Sequence, residues 1–215
     1  MIAKDGYKII SYTAVLAALL AISAWFTQSA VLWILCGLTV GIFVFHFFFF
    51  RDPERTIPEG KQLILSPADG TVIKIDEFEE PHYIQDKALR VCIFMSVFNA
   101  HINRNPVSGT VEYCEHKKGK FLVAFDEQAP EVNEHTNVGI NTEFGKVFFK
   151  QIAGLIARRI VCRLNKSDNV KSGERFGMIK YSSRVDLFLP LGTKLDVKVK
   201  DRVKAGISII GEFAS

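Results

Sequence analysis

The chain has 215 residues and a net charge of +4, and 48% of its residues are hydrophobic. That length supports one domain with a real core plus an appendage. The mild positive charge suits an anionic membrane face, and the lack of an Arg/Lys-rich arm with interleaved aromatics argues against a nucleic-acid partner.

Two apolar stretches open the chain, residues 9–26 and 30–50. As helices they span about 27 Å and about 31 Å, enough to match a bilayer core. Only Thr27-Gln28-Ser29 separates them, a length suited to a tight helical hairpin. Lys4 and Lys8 precede the pair, and Arg51, Arg55 and Lys61 follow it. Charge at both ends and none in the connection places both ends in the cytoplasm. A cleaved signal peptide fits poorly, because the apolar region is double and no small-residue cleavage site follows it. A hairpin dipping into one leaflet stays open. His46, near the end of the second stretch, is expected to face head groups.

Arg51-Asp52-Pro53-Glu54-Arg55 is polar and contains Pro, so it reads as a linker. Residues 1–55 are thus anchor and linker, and 56–215 the soluble part. Beyond the linker the periodicity changes. Leu195, Val197 and Val199 alternate with Lys194, Asp196 and Lys198, as in a strand. Val91-Cys92-Ile93-Phe94, Val147-Phe148-Phe149 and Val185-Asp186-Leu187-Phe188 are further β-favouring runs, punctuated by glycines. Residues 154–164 read as a short helix. The expected class is mainly β (α+β), with a C-terminal part, 191–212, similar to lipoyl-type barrel-sandwich domains. No internal repeat appears.

Cys36, Cys92, Cys114 and Cys162 form no CxxC pair and have no His at metal-ligand spacing. They read as buried free thiols in a reducing compartment. GxSxG, P-loop, GxGxxG and HExxH motifs are absent. Three polar segments are left. Tyr181-Ser182-Ser183-Arg184-Val185-Asp186 on its own reads as a loop hydroxyl bonding its own backbone. Ser66-Pro67-Ala68-Asp69-Gly70 reads as a turn between strands. His101 and Arg104 lie three apart after an apolar strand, where a histidine is usually a rim residue.

Taken in order, these segments resemble the short bacterial form of phosphatidylserine decarboxylase. The shared features are the double apolar N-terminus, SPADG at 66–70, FMSVFNAHINRNPVSG from Phe94, GKF at 119–121, NEH at 133–135, QIAGLIARRIV at 151–161 and GERFGMIKYSSRVDLFLPLGTKL at 173–195. The resemblance implies a proenzyme that cuts its own chain at Ser182-Ser183. The Ser183 hydroxyl attacks the preceding carbonyl to give an ester, and elimination leaves dehydroalanine, which becomes an N-terminal pyruvoyl group. Residues 1–182 become the large chain and 183–215 the small chain of a heterodimer; a higher oligomer stays open. The cofactor is self-derived, with no metal and no pyridoxal phosphate.

The implied reaction turns phosphatidylserine into phosphatidylethanolamine and CO₂, at the cytoplasmic face of the inner membrane. The pyruvoyl ketone forms a Schiff base with the substrate amine and takes up the electrons left by CO₂. His101 matches the family's proton donor and Asp69 its self-cleavage acid. Two positions depart from the family. Ser182 stands where the pattern has Gly, although a Ser-Ser bond is also the one cut in pyruvoyl-dependent histidine decarboxylase. Arg104 stands where longer members have a second His; Arg cannot act as a base, so His101 covers both steps or His116 or His135 takes part. Arg104, Lys120, Arg158 and Arg159 are the candidates for the lipid phosphate. Two other classes stay open: an uncleaved, catalytically silent lipid-binding homologue, and a membrane-tethered carrier built on the barrel-sandwich fold.

Overall fold

The computed structural model describes residues 1–120, 122, 129–155, 159–181 and 183–214. They form two compact units, Met1–Glu54 and Arg55–Ser215.

The first unit is a helical hairpin. A 3-10 turn at Lys4–Gly6 leads into α1, Tyr7–Thr27, and α2 covers Ala30–Phe49. Gln28 closes α1 in the left-handed conformation (φ 50°), and Ser29 is extended, so the chain reverses within two residues. Both helices are long and apolar enough to cross a membrane. Their contact face is lined by small or polar groups. Ala24 and Cys36 are buried, the Cys36 thiol points at the Ala17 carbonyl (3.6 Å), and Thr13 Oγ1 lies 3.4 Å from His46 Nδ1. His46 therefore faces the partner helix instead of the head groups. The two ends of the hairpin are laced together. The Ala3 N–H donates to the Phe50 carbonyl (2.8 Å) and the Asp52 N–H to that of Met1 (2.7 Å).

The second unit is mainly β. Its strands are β1 Leu63–Leu65, β2 Gly70–Glu80, β3 Asp86–Met95, β4 Ile102–Arg104, β5 Gly109–Lys117, β6 His135–Thr142, β7 Gly145–Ala153, β8 Ile160–Cys162, β9 Asn169–Val170, β10 Arg175–Ile179, β11 Ser183–Leu189, β12 Lys194–Leu195, β13 Arg202–Val203 and β14 Ile209–Glu212; α3 is a single turn at Ala129–Val132. Eight strands form one curled antiparallel sheet in the order β13-β2-β3-β11-β7-β6-β5-β9. Among the described residues, two three-stranded sheets, β1-β14-β12 and β4-β10-β8, complete the unit.

Period-two alternation decides what each face of the large sheet carries. Val72, Ile93, Val185, Leu187, Phe149 and Val138 lie on one face, in the main core. The other face holds a smaller cluster of Ala88, Phe148, Phe188 and Tyr83, and between these apolar residues it holds charges. β11 sits in the middle, paired with β3 and β7 along almost its full length, and all seven of its residues are buried.

The helix expected at 154–164 is not there in the described part. Ile160, Val161 and Cys162 are β8 and pair with Ile179, Met178 and Gly177 of β10. Two adjacent β-branched residues fit a sheet edge better than a helix. Gly177 permits the close approach: a Cβ there would lie 2.1 Å from the Val161 carbonyl oxygen. Residues 156–158 of that stretch lie outside the described residues.

Candidate active site

The large sheet brings several of the sequence-marked residues to one end. Ser183 is the first residue of β11, fully buried, with Met95 of β3 on one side and Ala153 of β7 on the other. Its hydroxyl lies 3.2 Å from the Met95 sulfur, a weak acceptor. The chain enters β11 through Tyr181, whose φ is +61°. A bulky residue in the left-handed region carries strain of about 1–3 kcal/mol. Ser182, the residue expected on the other side of the cut bond, lies outside the described residues.

β3 ends at Met95, and the turn that follows leads to His101. The Ser96 N–H donates to Asn99 Oδ1 (2.8 Å) and the Asn99 N–H to the Ser96 carbonyl (2.9 Å). This turn fixes the Asn99 carbonyl, which lies 2.9 Å from His101 Nδ1. A carbonyl only accepts, so Nδ1 carries a proton and Nε2 is the nitrogen that takes up or releases one. His101 is fully buried. Two residues on, Asn103 of β4 places Nδ2 3.8 Å from the same Met95 sulfur that Ser183 approaches. β4 therefore runs alongside the start of β11, and His101 belongs to the same end of the sheet as Ser183.

The sequence reading missed a neutral polar chain at this end. Gln151 of β7 donates from Nε2 to Asn103 Oδ1 (2.8 Å), and Asn103 Nδ2 also reaches the Pro67 carbonyl (3.3 Å). Gln151 Oε1 is buried with no hydrogen-bond partner among the described residues, a costly state that a ligand donor would relieve. Asn103 and Gln151 were visible only as members of longer matched segments. Nothing in their spacing distinguished them.

Asp69 sits where β2 begins, two strands from β11, so roughly 10 Å of sheet separates the two backbones. Its carboxylate is gripped from both sides by Arg55 (2.6 and 2.8 Å) and also accepts from the Ala205 N–H (2.8 Å). Arg55 reads as linker in the sequence, yet its side chain is only 7% exposed and belongs to this domain. Pro67, two residues before Asp69, accepts from the Arg104 N–H (3.0 Å), which ties the SPADG turn to β4.

The phosphate candidates differ in setting. Arg104 is buried, donates from Nη1 to the Gly173 carbonyl (2.9 Å) and packs against Gly206, where an added Cβ would come within 2.7 Å of its side chain. Lys120 is exposed, its backbone bridged to Asn133. Arg159 is exposed and its carbonyl accepts from the Lys180 N–H (3.1 Å). Arg158 lies outside the described residues. His116 and His135, the histidines offered as alternatives for the cleavage step, are further off. His135 pairs with Ile152, which pairs with Arg184, so its side chain projects from the sheet face opposite Ser183. Its pKa is lowered, chiefly by burial. His116 hydrogen-bonds Thr136 (3.0 Å) and lies three strands from β11.

The opposite face of β11 carries charge in closed pairs. Arg184 clamps Asp186, Arg90 clamps Asp76, and Lys150 reaches Glu131. The Cys92 thiol in this layer is pushed up to about 12 by burial and by Asp186. Phe78, Phe148, Phe188, Arg90, Lys150 and Asp186 are among the residues lining a cleft of about 240 Å³ here, on the far side of the sheet from the Ser183 hydroxyl. No cluster of three or more metal-ligating side chains occurs among the described residues.

Comparison with known proteins shows the family. A family model described as phosphatidylserine decarboxylase matches residues 42–211. A phosphatidylserine decarboxylase proenzyme of Desulfotalea psychrophila is 41% identical over 217 residues, 99% of this chain and 96% of that protein. Its namesake in Symbiobacterium thermophilum is 42% identical over 214 residues, with the same coverage. That of Syntrophus aciditrophicus is 49% identical over 171 residues, 79% of this chain and 80% of that protein. With a serine buried at the head of the central strand and relatives matched along almost the whole chain, the protein belongs to the phosphatidylserine decarboxylase family of carboxy-lyases.

Proposed function

We propose that this chain is a membrane-anchored phosphatidylserine decarboxylase that generates its own pyruvoyl group at Ser183. The observation that carries the reading is the position of Ser183: buried, first in the central strand, and entered through a left-handed Tyr181. Ser183 Oγ attacks the Ser182 carbonyl carbon, the peptide C–N bond breaks, and an ester forms. Loss of the Ser183 Cα proton then expels residues 1–182 as a carboxylate. Water replaces the remaining nitrogen, ammonia leaves, and a ketone stands at the head of β11.

The surroundings fit such a group. The Ser183 side chain lies beside a sulfur and a neutral polar chain, with the unsatisfied Gln151 Oε1 on the neighbouring row. That oxygen is suited to accept from the substrate's amine. When present, the ketone captures that amine and accepts the electron pair left as CO₂ departs. His101 returns a proton to Cα from Nε2, held in place by the Asn99 carbonyl. Asp69 acts in the cleavage step, where Arg55 fixes its orientation. Arg104 buttresses the Gly173 and Gly206 turns beneath the SPADG turn, and we assign the lipid phosphate to Lys120, Arg158 and Arg159.

The product is phosphatidylethanolamine. The two apolar helices keep the domain beside a substrate that never leaves the bilayer. The positive charge flanking them supports a domain on the cytoplasmic side of the inner membrane. The large and small chains remain together as a heterodimer, because β11 stays paired with β3 and β7 after the cut.

Intact mass spectrometry of the purified protein tests this. We expect a small chain beginning at residue 183, with a blocked N-terminus that borohydride reduces. Ser183→Ala should give one chain of full length and no CO₂ release. A single intact band from the unaltered protein would instead favour the silent lipid-binding reading.

A further inference from the structure

Ser183, Met95 and Ala153 form one row across the large sheet, and the chain segments leaving that row all emerge at the same end. Two of them carry large apolar side chains in the open. Phe98, at the tip of the Ser96–Asn99 turn, is 68% exposed, and Leu155, two residues past Ala153, is 59% exposed. They lie on either side of β11, one beyond β3 and one beyond β7. Exposed basic residues share this end. Lys118 and Lys120 follow β5, and Arg159 precedes β8. Lys120 joins this end through the backbone: its carbonyl accepts from the Glu134 N–H (3.0 Å), and that of Glu134 accepts from the Ala153 N–H (2.9 Å).

We infer that Phe98 and Leu155 insert into the bilayer and, with Lys118, Lys120 and Arg159, dock the catalytic end of the sheet on an anionic lipid surface. The proposal rests on the decarboxylase reading and adds to it which surface meets the membrane and through which side chains. Apolar tips and exposed Lys and Arg at the same end of the sheet match a lipid interface in both respects. The tips bury area in the acyl boundary and the cations meet the negative surface potential. The inserted tip is also wired to the chemistry. Phe98 belongs to the turn whose Asn99 carbonyl orients His101 (2.9 Å), so seating the tip steadies the imidazole where the substrate arrives.

The test uses the full chain in vesicles of phosphatidylglycerol and phosphatidylcholine. Trp25 and Trp33 are the two tryptophans of the protein. In a Trp25→Phe, Trp33→Phe background, a single tryptophan is placed by Phe98→Trp or Leu155→Trp. Leu191→Trp, past the opposite end of β11, serves as control. Acyl chains brominated near the head group should quench the first two and leave the third bright. A tryptophan at 98 as unquenched as one at 191 would overturn the docking surface. Activity is read on the unaltered protein in the same vesicles with phosphatidylserine added. Unaltered protein that releases no CO₂ there, while the tryptophans at 98 and 155 are quenched, would sink the decarboxylase reading and leave the docking intact. In a second measurement, Phe98→Ser with Leu155→Ser should lower the ratio of activity on vesicle substrate to activity on a short-chain soluble one by about ten-fold. An unchanged ratio would refute the inference.

Discussion

The two faces of β11 solve the burial of polar groups in opposite ways. On the face of Ser183 the polar atoms are neutral: a hydroxyl, a thioether and two amides, one of them with an oxygen unsatisfied among the described residues. One residue along, Arg184 and Asp186 belong to a layer of full charges, each closed against a partner. A reaction that moves protons and electrons at a ketone benefits from a setting without competing charges, whereas a layer that only holds the sheet together can carry ions if they are paired. The face without ions is the one we propose for the chemistry, and the ion-paired face, where Asn137 also keeps buried amide atoms without a partner among the described residues, is scaffold.

The sharpest way to break that comparison is to unpair the scaffold. Asp186→Ala strands the Arg184 guanidinium in a site where both side chains are at most 6% exposed. Losing one member of such a pair costs about 3–5 kcal/mol, or a fall in Tm of about 10–20 °C for a domain of this size. Arg184→Met with Asp186→Leu should recover most of it, because the pair contributes little beyond balancing its own desolvation. A double variant as unstable as Asp186→Ala alone would show that the ions do more than balance each other. Thermal unfolding measures both.

Perturbing the other face should affect chemistry more than stability. Gln151→Leu takes the donor away from Asn103 Oδ1, at about 1–3 kcal/mol, but also removes the orphaned Oε1, which offsets part of the cost. We expect Tm to drop by only a few degrees, while self-cleavage slows by about ten-fold as Asn103 loosens beside Met95 and Ser183. A time course on denaturing gels reads the cleavage. Cleavage at the unaltered rate would mean that the neutral chain has no part in placing Ser183.

How much of this was legible beforehand depended on whether a feature is local. The two apolar helices, the β-favouring runs at 91–94, 147–149 and 185–188 and the punctuating glycines follow from composition and period, and they appear where the sequence puts them, whereas the alternation at 194–199 yields only the two-residue β12, Lys194–Leu195. Ser183 and Asp69 could be singled out only through ordered resemblance, since a serine pair and a PADG turn carry almost no signal of their own. Arg55 was misassigned because its partner lies 14 residues away, across a turn that charge counting cannot see. Residues 160–162 were misread because apolar residues spaced through QIAGLIARRIV satisfy a helical period, while tertiary pairing with β10 settled the matter. The division of charge between the faces of β11 is half visible. Alternation separates Arg184 and Asp186 from Ser183 and Val185, but which face would be neutral depended on β3, β4 and β7.

The smallest effect lies at the edge of the charged face, at His135. Burial lowers the pKa of this imidazole from 6.5, with Lys150 and Lys117 acting in the same direction and Glu131 and the Asn133 carbonyl against it. The folded protein therefore takes up the proton less readily than the unfolded chain. Where the unfolded state binds more protons, stability rises with pH. The contribution is fully present above pH 6.5 and is lost as pH falls from there through the lower folded pKa. Between pH 6.5 and 5.5 the loss is at most about 1 kcal/mol. His135→Gln removes the titration, so unfolding midpoints measured across that interval should flatten relative to the unaltered protein. Because the ring projects from the face opposite Ser183, the variant should also cleave itself and decarboxylate at the usual rate. A stalled proenzyme would move His135 from the scaffold to the chemistry and erase the division between the two faces.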